Sequence, residues 1–172
     1  MDDAALVEAV KQGGTERFAE LVDRHSGAVF RLVRAAIRNP DDVEDLAQDA
    51  FVAAFRSLRR LRDPSRFRPY LLSIASRRII DYIRRHKRRG TMLPLESEPV
   101  APGPDGRQDL LEAVERVAST LPPEARLVFA LRHHEGLSCI QIARVLELPA
   151  GTVYSRLARI HKTIRRALEV TE

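Results

Sequence analysis

The sequence predicts an all-α protein of two small helical domains joined by a flexible linker, with a helix-turn-helix in the C-terminal domain. Three observations predict this fold. Apolar residues recur at helical spacing along most of the 172 residues. A stretch rich in proline and glycine, residues 90–109, interrupts this pattern, as linkers do. Near the C terminus, a short helical pattern, a turn with a proline and a longer basic helix follow one another.

Composition and charge limit the possible functions. Apolar residues make up 44% of the chain, charged residues 31%, and the net charge is +5, which favours an anionic partner. The single cysteine, Cys139, excludes an internal disulfide and a cysteine-rich zinc site. The longest apolar run, residues 50–55, is too short to cross a bilayer, and the N terminus lacks the basic start of a signal peptide. We expect a cytoplasmic protein with no membrane insertion, cofactor or metal.

Residues 1–89 are predicted to hold four helices. The first, residues 3–12, ends at a pair of glycines, and Thr15 caps the second, which runs to Asn39. A loop over residues 59–69 precedes the fourth helix, residues 70–88. The third helix has an apolar stripe that we expect to be buried: Val43, Leu46, Ala47, Ala50, Phe51, Ala54, Phe55 and Leu58.

The other face of the third helix is acidic in a basic protein. The helix macrodipole favours acids in the first turn, which accounts for Asp41 and Asp42. It does not account for Gln48 and Asp49, which lie further along the helix. A carboxylate patch repels DNA, so these residues also suit docking to a basic protein. The residues alone leave both interpretations open.

Basic residues are concentrated between residues 56 and 89. This segment has thirteen Lys or Arg and two acids, a local charge of +11 against +5 for the whole chain. Cations at a helix C terminus explain a few of them, but not the arginines of the loop. Such density is typical of contact with a phosphate backbone and exceeds what a solvated face requires.

The last two helices of residues 110–172 form the predicted helix-turn-helix. Ser138 caps a short helix, Pro149 interrupts the chain, and a longer helix begins near Ala150. Its apolar stripe is Val153, Leu157, Ile160, Ile164 and Leu168, and the opposite face is basic. Such a helix can enter the major groove of DNA. Two ordinary packed helices with a solvated cationic face are the simpler alternative.

Several sequence blocks resemble those of bacterial sigma factors. Residues 45–51, DLAQDAF, resemble the family's DLVQETF block. FRPYLLSIA and IDYIRR, at residues 67–75 and 80–85, resemble its FRxWLxxIAxNxxIDxxRR block. LPPEARLVF, EGLS and GTVYSRL follow in the family's order. The chain is short and passes directly from one domain to the other, so it resembles the extracytoplasmic-function (ECF) group of the sigma-70 family, which keeps only conserved regions 2 and 4.

This resemblance implies a role for each part. Residues 1–89 would be region 2, residues 90–109 a linker, and residues 110–172 region 4. The chain would bind core RNA polymerase at two places, the clamp coiled coil of the largest subunit and the flap of the second-largest subunit. Asp45, Gln48 and Asp49 would bind the clamp coiled coil. The −10 element and its non-template strand would be bound by Arg60, Arg62, Arg66, Tyr70, Arg77, Arg78, Arg84 and Arg85. The −35 element would be read by Thr152, Tyr154, Ser155, Arg156, Arg159 and Lys162. An anti-sigma factor is a further expected partner.

Three residues depart from the family pattern. Tyr70 stands where the family usually has tryptophan, so an aromatic ring is kept but it is smaller. Arg77 stands where asparagine is frequent and adds charge to the strand-melting surface. Glu147 replaces the usual glycine at the helix-turn-helix corner. If that corner has a positive φ, the glutamate costs about 1 kcal/mol.

Two other functions compete with this one. A helix-turn-helix regulator that acts without core polymerase explains the second domain, but neither the +11 segment nor the acidic face. A metal enzyme would have to use His133, His134 and Glu135. Consecutive residues on a helix point in different directions and no further ligand set is evident, so we predict no catalytic residue.

Overall fold

The computed structural model describes residues 1–90 and 106–169. Within these ranges the chain forms eight α-helices and no strand, which confirms the all-α prediction. The first half contains α1 (Asp3–Lys11), α2 (Phe18–Ala36), α3 (Pro40–Ser57) and α4 (Phe67–Arg89). The second half contains α5 (Gly106–Ser119), α6 (Pro123–His133), α7 (Cys139–Leu146) and α8 (Ala150–Glu169). Short 3₁₀ turns occur at Thr15–Arg17, Leu58–Arg60 and Pro64–Arg66.

The helix-turn-helix begins and ends as its residues predict. The Ser138 side chain accepts a hydrogen bond from the Gln141 backbone N–H at 3.2 Å. The Gln141 side chain accepts one from the Ser138 N–H at 2.8 Å, which completes a capping box. Glu147 ends α7 with φ 54°, the left-handed conformation expected where the family has glycine.

Four predicted boundaries were wrong, and one of them is the end of α2, which lies at Ala36 and not at Asn39. Thr15 does not cap α2, because it lies in a 3₁₀ turn that precedes the helix. The fourth helix begins at Phe67 and not at residue 70. Pro69 lies in its first turn, where backbone N–H groups have no partner within the helix, so a residue without an N–H is tolerated. The fifth begins at Gly106, so residues 106–109 of the predicted linker are helical. The remainder of the linker after Gly90 lies outside the described residues.

Helices α2, α3 and α4 enclose the core of the first half, and α1 packs against α2 and α4 at one end. Phe67 is fully buried at the centre. Phe55 departs from the prediction, because 39% of its surface is exposed although it belongs to the apolar stripe of α3. Its ring packs edge-to-face with that of Phe18, with the centroids 5.0 Å apart. The ring also lines an open groove between α2 and α3.

The two halves pack against each other, α6 on α2 and α7 on α4. Arg126 of α6 connects them. Its guanidinium donates to the carbonyls of Ala35, Ala36 and Leu121, each at 2.7 Å. The first two acceptors belong to the last turn of α2, whose carbonyls have no partner within the helix. Burial lowers the pKa of Arg126 to about 10, so the side chain remains charged at neutral pH.

Ion pairs surround this contact. The side chain of Glu135 is fully buried and accepts from Arg68 at 2.7 Å and from Arg31 at 3.3 Å. Two further pairs, Lys87–Glu124 and Arg77–Glu147, also cross between the halves. Hydrogen bonds from Ser73 to the Val145 carbonyl and from Arg38 to the Ser119 carbonyl, at 3.1 and 2.9 Å, complete the contact.

Two serines of α4 should affect stability in opposite directions. The buried Ser76 hydroxyl has no hydrogen-bond partner among the described residues, whereas Ser73 donates to the Val145 carbonyl. Ser76→Ala should raise the free energy of unfolding by about 1 kcal/mol, and Ser73→Ala should lower it by about 1 kcal/mol. Urea denaturation of the full chain measures both. Destabilisation by Ser76→Ala would mean that its hydroxyl has a partner.

Candidate nucleic-acid interfaces

Helix α8 separates its apolar and basic residues cleanly. Val153, Leu157, Ile160 and Ile164 are buried against the second half. Thr152 is half-buried, and its carbonyl accepts from the Ser155 hydroxyl at 3.0 Å. The other predicted reading residues are exposed: Tyr154, Ser155, Arg156, Arg159 and Lys162. The predicted stripe is therefore confirmed for these four residues, whereas its fifth member, Leu168, is only partly buried. The basic side is exposed, as contact with a DNA groove requires.

A carboxylate lies close to these arginines. Arg156 and Arg159 line a shallow pocket with Glu124 of α6. Burial alone would raise the pKa of Glu124, but the hydrogen bond from Lys87 and the charges of Lys87 and Arg156 lower it below its ordinary value. Glu124 is thus ionised, and its charge lies beside Arg156 of α8.

The loop before α4 is ordered by its own side chains. The Asp63 carboxylate accepts from the Ser65 backbone N–H at 3.1 Å and from the Ser65 hydroxyl at 2.6 Å. These bonds lower the pKa of Asp63 below its ordinary value, with a smaller effect from Arg66. The three predicted loop cations, Arg60, Arg62 and Arg66, are all exposed on this framework.

The arginines of α4 do not form one continuous surface. Arg60, Arg77 and Arg78 line one open pocket together with two acids, Asp49 and Asp81. Arg78 pairs with Asp49 at 3.1 Å and Arg77 pairs with Glu147. Arg84 and Arg85 are exposed further along the helix, and Arg85 lines a groove beside Asp42 and Asp45. Neighbouring acids therefore already balance part of the +11 charge.

Two tyrosines fix α4 against α3. The hydroxyl of Tyr70 bonds to Ser57 and donates to the Ala54 carbonyl at 3.3 Å, so this half-buried ring supports the surface from below. The Tyr82 hydroxyl donates to Asp42 at 2.6 Å. Burial, and then the Asp42 carboxylate, raise the pKa of Tyr82 to about 12. Asp42 is therefore engaged within the fold.

The three predicted docking residues on α3 are exposed but face two different neighbours. Asp45 and Asp49 face α4, where Asp49 pairs with Arg78. Gln48 faces α2 and lines an apolar groove of about 660 Å³. Phe18, Phe51, Val52 and Phe55 supply much of its wall, and 38% of Val52 is exposed. The sequence does not predict this groove, because the apolar stripe of α3 does not indicate that its C-terminal end is left exposed.

The His133-His134-Glu135 run points in three directions. The Nε2 atoms of His133 and His161 lie 3.1 Å apart, and His134 contacts Glu115 at 2.9 Å. Burial, then the neighbouring His161 charge, lower the pKa of His133. Glu135 instead faces the arginines of the first half. In the described part of the chain, no group of three or more His, Cys, Asp or Glu side chains could hold a metal ion.

Both halves match known families. Residues 21–89 match Sigma-70 region 2, and residues 111–168 match Sigma-70, region 4.

In residues 1–90 and 106–169, no helix has both the length and the apolar character that a bilayer crossing requires.

Curated relatives match along nearly the whole chain. The ECF RNA polymerase sigma factor SigW of Bacillus subtilis is 30% identical and the match covers 94% of each chain. The ECF RNA polymerase sigma-E factor of Escherichia coli K12 is 32% identical, over 95% of this chain and 93% of the relative. That of Haemophilus influenzae is also 32% identical, over 98% and 96%.

Two solved structures are similar in fold. CnrH in complex with the cytosolic domain of CnrY is 26% identical, with a TM-score of 0.68 over 99% of both chains. The sigma factor RpoE in complex with the anti-sigma factor NepR, from Bartonella quintana, is 21% identical, with a TM-score of 0.67. That match covers 90% of this chain and 98% of the other, and supports the fold alone.

Proposed function

Because the chain belongs to the sigma-70 family, in its ECF group, we propose that it binds core RNA polymerase and directs promoter recognition, DNA melting and transcription initiation. Residues 1–89 act as region 2 and residues 110–172 as region 4. The observation that carries this proposal is α8, whose exposed Arg156 and Arg159 extend from a capped helix-turn-helix in the same chain as the basic α4. The protein acts in the cytoplasm by binding, without a catalytic step of its own.

The polar surfaces divide among three partners. Asp45, Gln48 and Asp49, with the apolar groove beside Gln48, suit a partner that offers basic and apolar side chains, and we assign them to the clamp coiled coil. The loop arginines and α4 suit the −10 element, and α8 suits the −35 element. An anti-sigma factor is a further proposed partner, as the sequence resemblance implies; the RpoE structure from Bartonella quintana is itself a complex with an anti-sigma factor.

A reconstitution tests the proposal directly. The purified chain is mixed with core polymerase, and a library of promoter fragments is transcribed with and without it. We expect a stable complex on gel filtration and transcripts that depend on the added chain. DNA binding without a complex with core would favour the helix-turn-helix regulator instead.

Core docking should depend on the acids of α3. Changing Asp45 and Asp49 together to lysine should lower the affinity for core polymerase by about tenfold or more, because like charges then meet across the interface. Both residues are exposed, so circular dichroism should show an intact fold. Asp23→Lys together with Glu112→Lys, the same total charge change at two exposed positions outside α3, is the matched control. Unchanged binding by the α3 double variant would exclude these acids as docking residues.

Promoter reading should depend on the first turns of α8. Arg156→Ala and Arg159→Ala should lower use of the cognate promoter, and at least one should relax a base preference, since a bidentate arginine–guanine contact discriminates by ~1–3 kcal/mol. Lys162→Ala and Arg166→Ala should weaken binding to all sequences alike and reduce its salt dependence. Binding and transcription across −35 variants measure both effects. Parental base preferences in both arginine variants would remove α8 as the reading helix.

A further inference from the structure

Lys11, the last residue of α1, makes a contact that its place in the helix does not explain. The helix macrodipole favours a cation in the last turn even when that cation lies in solvent. Only 18% of the Lys11 side chain is exposed, and its Nζ donates to the Leu61 carbonyl, 50 residues away, at 2.7 Å. Glu8 accepts a second bond from the same Nζ at 3.2 Å. Lysine is rarely buried to this extent without a specific partner, so the contact with Leu61 is a directed one.

The acceptor lies between two arginines of the loop before α4. The Leu61 N–H donates to the Leu58 carbonyl at 3.0 Å, which fixes the peptide plane shared with Arg60. The Leu61 carbonyl, bound by Lys11, belongs to the peptide plane shared with Arg62. The Leu61 side chain is buried, whereas Arg60 and Arg62 are exposed. The bond from Lys11 therefore fixes the backbone from which Arg62 extends and completes the bonding of both planes.

Helix α1 supports the rest of this loop as well. It packs against both 3₁₀ turns, Leu58–Arg60 and Pro64–Arg66. Between the turns the backbone is extended at Leu61 and at Asp63, so no helical hydrogen bonds order the link. Lys11 supplies a bond at this point, where the loop's own backbone provides least.

We propose that Lys11 is a positioning residue for strand recognition, which holds Arg60 and Arg62 in the orientation that selects bases of the −10 strand. Arginine can bond the edge of a base or stack on its face, and either contact requires a defined direction of approach. A loop already held in one conformation loses little conformational entropy on binding, and a single geometry favours one set of bases. The proposal rests on the proposed function and deepens it, since it concerns how the strand-binding loop reads sequence.

The test compares variants of the full chain. Lys11→Met keeps a side chain of similar length without donors, and Lys11→Arg keeps a charged donor. Arg17→Met is the matched control, because it removes the same charge from an exposed residue that pairs with Glu20 on the turn after α1. Lys11→Ala, which suits a helix, replaces Lys11→Met if circular dichroism shows that Lys11→Met is unfolded.

Hydrogen exchange of the free chain reports the order of the loop. The amide protons of Leu61, Ser65 and Arg66 are hydrogen-bonded within it. In Lys11→Met they should exchange about tenfold faster, because a bond from a charged donor is lost, while the amides of α2 exchange as in the parent. Lys11→Arg should restore the protection, and Arg17→Met should leave it unchanged. Equal loop exchange in Lys11→Met and the parent would overturn the proposal.

Selection from a pool of short single-stranded DNAs of random sequence reports base reading. In Lys11→Met the affinity ratio between preferred and average strands should fall by about fivefold or more, the effect of one lost base contact. Lys11→Arg should recover the ratio. Affinity for average strands should be similar in Lys11→Met and Arg17→Met, because both lose one charge and keep Arg60 and Arg62.

The ratio separates positioning from stability. Partial unfolding lowers the affinity for all strands alike and leaves the ratio unchanged, whereas a misplaced loop lowers the ratio itself. An unchanged ratio in Lys11→Met, or a parent without any base preference, would overturn the proposal. Neither assay contains polymerase, so a parent that selects strands but forms no complex with core would overturn the proposed function alone.

Discussion

The packing of the two halves depends on the guanidinium of Arg126. The last carbonyls of α2, at Ala35 and Ala36, are covered by α6, and a buried carbonyl without a donor costs about 1–3 kcal/mol. One fork-shaped cation supplies donors to both and to Leu121 of its own half. With α6 held on α2, α7 lies on α4, and Glu135 is buried where Arg31 and Arg68 neutralise it. Loss of the Arg126 donors therefore weakens the packing of α6 on α2 and of α7 on α4, and not only the hydrogen bonds of Arg126 itself.

The ion pairs of the basic surface have a different character. Arg77–Glu147 and Arg78–Asp49 are about half exposed, and exposed pairs stabilise a fold by only about 0–1 kcal/mol. Such pairs keep like charges from repelling one another in the free protein, yet they exchange readily for phosphate. The acids of α3 and of the second half thus make a dense cationic segment compatible with a compact fold.

Local features were predictable because they depend on neighbouring residues. The Ser138 capping box, the positive φ of Glu147 and the apolar stripe of α8 all follow from spacings of a few positions. The contact between the halves was not predictable, because periodicity identifies an apolar face without identifying what covers it. Arg126 lies within an apolar run of α6, where no local rule assigns it the carbonyls of a helix some 90 residues earlier. The exposure of Phe55 and the alternate directions of Gln48 and Asp49 were missed for the same reason.

Arg77 and Glu147 illustrate how a long-range contact changes the meaning of a residue. Each is recognisable in the sequence as a departure, one adding charge to α4 and the other adding backbone strain at a corner. They are 70 positions apart, so neither predicts the other. Once paired, Arg77 is not an unbound cation, and a phosphate must compete with the Glu147 carboxylate for its charge. The helix-turn-helix corner therefore contributes to the charge of the proposed strand-binding surface, which α4 alone describes incompletely.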